Sequence, residues 1–135
     1  MIDMRGIRLE VLAAAALDGR ARDEIVDLCE AAYREDFSKL FEQLPDSVHV
    51  MLRDDRGVLR SHAEFVPRWL QPVGLPVLRT AYVEAVATAP GAQRSGLATA
   101  VLQRLAEVIA ADAAWDLAAL SPSHIAFYQR RGWEL

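Results

Sequence analysis

The sequence predicts a single mixed α/β domain built on one mixed sheet, and three observations carry that prediction. The chain has 135 residues, close to the commonest size of one domain, and no repeat, linker or low-complexity stretch divides it. Hydrophobic residues make up 53% and charged residues 25%, the proportions of a folded globular protein. Segments that alternate or are β-branched interleave with segments of helical periodicity, in the order strand, helices, hairpin, long strand, helix, strand, helix.

Each element has its own signal. Arg5 to Ala13 alternates weakly and reads as a first strand. Asp18 is an N-cap for a helix from Gly19 to about Glu35, on which Ile25, Leu28, Cys29, Ala32 and Tyr33 recur at helical spacing. A short helix from Ser38 to Leu44 stops before Pro45. Val48 to Arg53 and Val58 to Trp69 flank Asp54-Asp55-Arg56-Gly57, a turn signal, and form an antiparallel hairpin. After a Pro/Gly loop, Val77 to Thr88 is long and rich in Val, Tyr and Ala, the pattern of a central strand ended by Pro90-Gly91. Ser95 to Ala111 is a helix with the apolar stripe Leu97, Val101, Leu102, Leu105, Val108 and Ile109. Trp115 to Leu120 reads as a buried strand. Ser121 then caps a last helix with Pro122 at its first position, closed by Gly132.

Composition excludes several function classes. A formal charge of -4 argues against a nucleic-acid surface. No apolar run approaches the roughly 20 residues of a membrane span, and Asp3, Arg5, Arg8 and Glu10 break any signal-peptide pattern. The lone Cys29 fits a reducing, cytoplasmic setting, and its place on an apolar stripe makes it a packing residue and not a nucleophile. His49, His62 and His124 lie far apart in sequence without metal-ligand spacing, so no metal is expected. Charge is uneven: Asp18 to Asp55 holds eleven acidic and five basic residues, whereas Arg56 onward holds six and eight. That asymmetry suits a cationic partner on one side and an anionic one on the other, or is simply a solvated helix surface.

The chemistry is concentrated in Tyr82-Val83-Glu84-Ala85-Val86-Ala87-Thr88, followed by Gln93-Arg94-Ser95-Gly96-Leu97-Ala98 and a helix. A strand that runs through a Gly-containing turn into a helix start gathers backbone N–H groups and the positive end of the helix dipole, which makes an anion site. Gly96 lets a bulky anion approach, Ala98 keeps the first turn uncrowded, and Arg94 adds charge-assisted contacts.

Gln93-x-x-Gly96-x-Ala98 resembles the Gln/Arg-x-x-Gly-x-Gly/Ala signature of the GCN5-related N-acetyltransferases (GNAT), which bind acetyl-coenzyme A. Tyr82-Val83-Glu84, Ala119-Leu120-Ser121, Tyr128-x-x-Arg131-Gly132-Trp133, Ala32-Tyr33 and Asp36-Phe37 are similar, in order, to segments of the aminoglycoside 2'-N-acetyltransferases. The resemblance implies a GNAT-like acyl-CoA N-acyltransferase fold. It implies that the coenzyme pyrophosphate lies on the amides of Arg94, Ser95, Gly96, Leu97 and Ala98 beside Gln93, with Ser121 nearby. The pantetheine arm would pair with the backbone of Val86, Ala87 and Thr88. Glu84 would take the proton from the attacking amine, through a water, and Tyr128 would supply a proton to the leaving thiolate. Asp36 would bind a cationic substrate amine. Taken by themselves these residues also read as a strand-surface acid, a packed tyrosine and a helix-terminal aspartate.

The family pattern continues past Arg131-Gly132-Trp133 with two further strands, so the resemblance implies a shortened C-terminal part and an open edge on the strand Trp115 to Leu120, covered by a homodimer if at all. Three functional readings follow. The first is direct acetyl transfer to a small cationic amine such as an aminoglycoside; the others are a non-catalytic acyl-CoA-binding module and a peptide or protein N-acetyltransferase. None involves nucleic acid or membrane.

Overall fold

The computed structural model describes residues 5–135. Five strands, β1 (Arg8–Ala13), β2 (Val48–Arg53), β3 (Leu59–Leu70), β4 (Leu78–Thr88) and β5 (Leu117–Leu120), lie side by side in that order. The first four pair antiparallel and β5 joins β4 in parallel. Helices α1 (Gly19–Tyr33), α2 (Leu40–Gln43), α3 (Leu97–Ala110) and α4 (Ile125–Gln129) cover the two faces. This is the mixed α/β domain the sequence predicts.

Strand alternation sorts side chains to the two faces. Val50, Leu52, Ala63, Phe65, Ala81 and Val83 meet the α3 stripe of Leu97, Val101, Leu102, Leu105 and Ile109. On the other face Met51, Leu59 and Ala87 pack against Ile25, Leu28 and Cys29 of α1 and Leu40 of α2. Cys29 is the packing residue expected, and burial pushes its thiol up to about 12, which leaves it inert.

Three expectations need correction. The strand Val77–Thr88 is interior but not central, because β3 holds the middle of the sheet and β4 lies fourth. The segment Trp115–Leu120 shortens to an edge strand that is half-buried, with its outer side unpaired among the described residues. Ser121 and Pro122 precede the last helix and do not open it; α4 starts at Ile125 with His124 as N-cap. A residue before proline is driven toward extended backbone, so Ser121-Pro122 continues the chain outward from β5 before it can turn.

The most consequential irregularity lies in β4. Register runs evenly from Leu70↔Leu78 to Glu64↔Glu84, then resumes at His62↔Ala87. Two β4 residues, Ala85 and Val86, therefore stand opposite the single Ala63, which is a β-bulge. Ala85 sits at φ 50, left-handed backbone that costs a residue with a Cβ about 1–2 kcal/mol. Beyond Val83, β4 has no strand partner on its β5 side among the described residues, so Glu84 to Thr88 present an open outer edge.

Asp18 accepts from the Ala21 amide at 2.8 Å and caps α1. Asp18→Ala is expected to lower unfolding free energy by about 1 kcal/mol without changing the denaturant slope, measured by urea titration.

Candidate active site

The open edge of β4 and the start of α3 enclose one cleft of about 520 Å³, lined by Val86, Ala87, Thr88, Gln93, Arg94 and Gly96 to Thr99 on one side, and by His124, Phe127, Tyr128 and Arg131 on the other. Gly96, at φ 85, is the N-cap of α3, a conformation L side chains rarely adopt. As a glycine it offers no capping side chain, and the first intrahelical bond is Ala100 N–H to the Gly96 carbonyl, 3.1 Å. The amides of Leu97, Ala98 and Thr99 are thus left without helical acceptors at the positive end of a 14-residue helix. They suit a polyanion. Arg131 fixes the opposite wall: it donates to Thr99 Oγ1 at 2.9 Å and to the Phe127 carbonyl at 2.7 Å, with its guanidinium 3.6 Å from the Phe127 ring centre.

A second cavity, of about 370 Å³, adjoins the first through Tyr33, Val86, Ser123 and Tyr128, which line both. It also contains Glu84, Glu35 and Ser121. A third, of about 560 Å³, continues on the other side of Glu84 and is lined by Glu35, Asp36, Phe37, Lys39 and Arg68. Glu84 is therefore shared between the second and third cavities, while Tyr128 stands where the first meets the second. Burial raises the Tyr128 hydroxyl above its ordinary value, with Arg131 pulling the other way, so it stays protonated at neutral pH and able to donate.

A family profile described as the acetyltransferase (GNAT) domain matches residues 14–135. The chain belongs to the GNAT acetyltransferase family. Solved structures share the fold at low identity. An aminoglycoside antibiotic 6'-N-acetyltransferase from Acinetobacter baumannii is 15% identical with a TM-score of 0.69, over 95% of this chain and 92% of that one. Glucosamine-6-phosphate N-acetyltransferase from Arabidopsis thaliana is 14% identical with a TM-score of 0.67, over 96% and 92%. An acyl-CoA N-acyltransferase from Pseudomonas aeruginosa is 16% identical with a TM-score of 0.72, over 93% and 87%. Compared by sequence with curated proteins, the chain finds no match.

Members of the GNAT acetyltransferase family use acetyl-coenzyme A, and the uncapped α3 amides and open β4 edge fit its anionic and amide-bearing parts. The residues singled out in the sequence for the coenzyme line that cleft, with two exceptions. Ser95 turns its hydroxyl to the Ala92 carbonyl, and Ser121 lines the Glu84 cavity instead. Asp36 reaches the same cavity as Glu84, but the Ser38 hydroxyl and then the Ser38 amide, which donates to Oδ1 at 2.8 Å, hold its carboxyl below the ordinary value. Glu84 has Arg68 Nη2 3.6 Å from Oε1.

Sequence reading missed Tyr33, whose hydroxyl donates to the Val86 carbonyl at the cleft edge. That occupies one of the two lone pairs a bound amide would use. Its place at the last turn of α1, next to the family-like Ala32-Tyr33 pair, is the signal that could have found it.

The separation assigned to His49 and His62 is also corrected. The β2–β3 hairpin brings them together, with His49 Nδ1 2.8 Å from His62 Nε2 and Glu64 Oε2 3.8 Å from His49 Nε2. These three buried groups resemble a zinc donor set. Two ligands of a tetrahedral zinc stand about 3.3 Å apart at a Zn–N distance of about 2.0 Å, so the facing nitrogens are spaced as a hydrogen bond and not as metal ligands.

Burial sets the charge of this cluster. It lowers His49 to about 3, with His62 and Arg22 adding to the effect, and lowers His62 to about 4. It raises Glu64 to about 8, helped by Glu84 and partly offset by Ser47. Unfolded histidines bind protons below about 6.5 that the native ones refuse, so stability falls with falling pH below that point. Native Glu64 keeps a proton that the unfolded chain gives up near 4.5, so stability also falls as pH rises toward about 8. The cluster's contribution peaks near pH 6.5, where the two opposing terms cancel. Glu64→Gln is expected to flatten the alkaline side of a Tm-against-pH curve and to steepen the acid side between about pH 4.5 and 6.5, where the Glu64 term opposes the histidines.

Proposed function

We propose that the chain transfers an acetyl group from acetyl-coenzyme A directly to a primary amine of a small, cationic acceptor such as an aminoglycoside. The observation that carries this reading is the placement of Glu84 between an acid-lined cavity and the cavity that Tyr128 shares with the coenzyme cleft. The α3 amides and Arg94 would hold the pyrophosphate, and the outer edge of Val86 to Thr88, where Tyr33 and Gln93 donate to the Val86 and Thr88 carbonyls, would pair with the pantetheine amides. When bound, the coenzyme supplies an activated thioester carbonyl.

The remaining work falls to this chain's own groups. An ammonium has no lone pair, so the acceptor must lose a proton before it attacks; of Glu84 and Glu35, the two carboxylates that line both cavities, Glu84 is the strand acid the family resemblance points to, and it takes the proton directly or through one water. Tyr128, protonated and lining the second cavity with Glu84, would donate to the sulfur as the thiolate leaves. Glu35 and Asp36, in the third cavity with Glu84, give the acceptor side three carboxylates against Lys39 and Arg68, a balance that favours a cationic amine. The buried, inert Cys29 leaves no thiol at this junction to carry the acetyl group, which favours direct transfer.

Glu84→Gln is expected to lower kcat by about 10²–10⁴, most strongly at pH values where the free amine is scarce. Tyr128→Phe should lower kcat by about 10² with the acetyl-coenzyme A KM nearly unchanged. Steady-state rates across pH, with aminoglycosides, simple polyamines and peptide N-termini as acceptors, check both. A flat pH response in Glu84→Gln would contradict the base assignment, and faster turnover of peptides than of aminosugars would replace the acceptor class.

A further inference from the structure

On the α1 face of the sheet, beneath the acid-lined cavity, lies a row of polar side chains that acetyl transfer as described does not use. Ser47, His49, His62 and Glu64 are all buried. Buried polar groups survive in a core when they are bonded, and three of these are bonded head to tail. Ser47 Oγ lies 2.7 Å from His49 Nε2, His49 Nδ1 lies 2.8 Å from His62 Nε2, and His62 Nδ1 lies 2.8 Å from the Ala85 carbonyl oxygen.

The last acceptor fixes the direction of the whole row. A carbonyl oxygen only accepts, so His62 carries its proton on Nδ1. Its Nε2 is then the acceptor, His49 donates from Nδ1, and His49 Nε2 accepts from the Ser47 hydroxyl. One tautomer of each neutral ring satisfies every ring nitrogen. Phe41 stacks on His49 with centroids 5.2 Å apart and packs against that ring.

The row ends on the bulged residue. Ala85 shares the single opposing residue Ala63 with Val86 and stands in left-handed backbone, with Glu84 before it and Val86 after it. We infer that Ser47, His49 and His62 form a positioning relay: the His62 Nδ1–H bond to the Ala85 carbonyl holds the β4 bulge, and through it sets Glu84 and the Val86 backbone for acetyl transfer. Without that bond the Ala85 carbonyl loses its buried partner, and the ladder is free to slide by one residue. A one-residue slip turns every following side chain and backbone group to the opposite side, which would remove Val86 to Thr88 from the cleft. His62 is a positioning residue, since it acts through Ala85 and lines none of the three cavities.

The inference rests on the proposed roles of Glu84 and Val86, and its test has one arm that does not. In the wild-type chain, nitrogen-15 NMR of the imidazoles should show His62 protonated on Nδ1 and His49 also on Nδ1, whether or not any amine is acetylated. The second arm compares two folded variants. His62→Asn keeps a donor at the Nδ1 position but underfills the site, whereas His62→Leu fills it and donates nothing. A misplaced reacting group costs about 10²-fold, so His62→Leu should lose about that factor in kcat while His62→Asn retains most of it. A purely packing role predicts the reverse order. An Nε2-protonated His62 in the wild type, or a folded His62→Leu as active as His62→Asn, would overturn the relay. A wild-type chain that acetylates no amine but shows the expected tautomers would sink the functional reading and leave the relay standing.

Discussion

The break in the β3–β4 ladder at Ala85 is the feature on which the site depends. A regular strand would send successive side chains to alternating faces and spend its backbone on its neighbours. With Ala85 at φ 50 and two residues opposite one, Glu84 keeps its place over the α1 face while Val86 to Thr88 re-enter the ladder in shifted phase. The parallel pairing with β5 ends at Val83, two residues before Ala85. The same few residues therefore close one side of the sheet and open the other.

What opens is complemented by what α3 leaves undone. A helix capped by Ser or Asp would spend its first amides on its own cap. Gly96 cannot, and the left-handed turn through Arg94 and Gly96 aims those amides into the cleft that the β4 edge borders. Arg131, just past α4, ties that helix to α3 through Thr99 and the Phe127 carbonyl, and Tyr128 of α4 lines the same cleft as Val86. The proposed anion-binding end, amide-pairing edge and proton-handling pair thus lie along adjoining cavities from Gly96 to Glu84.

Much of this was legible in the sequence because local chemistry dictates it. The hairpin turn Asp54 to Gly57, the Asp18 cap, the α3 stripe and the Gly96 turn each follow from short-range rules, and each stands in the fold. The bulge was not legible, because no glycine marks Ala85 and its conformation is imposed by tertiary contacts. The His49–His62 contact was half-legible. Once Val48–Arg53 and the following strand are paired across a tight turn, both rings fall on one face within two register positions of each other, yet linear spacing alone makes them look remote. Tyr33 was read as part of an apolar stripe, and its hydroxyl acts only because α1 ends beside β4. The start of the last helix was misplaced because Ser121-Pro122 fits a helix cap and an extended exit from β5 equally well, and the cavity beside Glu84 takes the second form.

The central claim is that the open β4 edge and the uncapped α3 amides form one binding surface for acetyl-coenzyme A. The most direct measurement is a backbone amide NMR titration of the chain with acetyl-coenzyme A. The account predicts the largest shifts at Val86, Thr88 and Gly96 to Thr99, saturating together with a single dissociation constant. Shifts confined to other surfaces, or α3 amides that respond while Val86 and Thr88 do not, would contradict it.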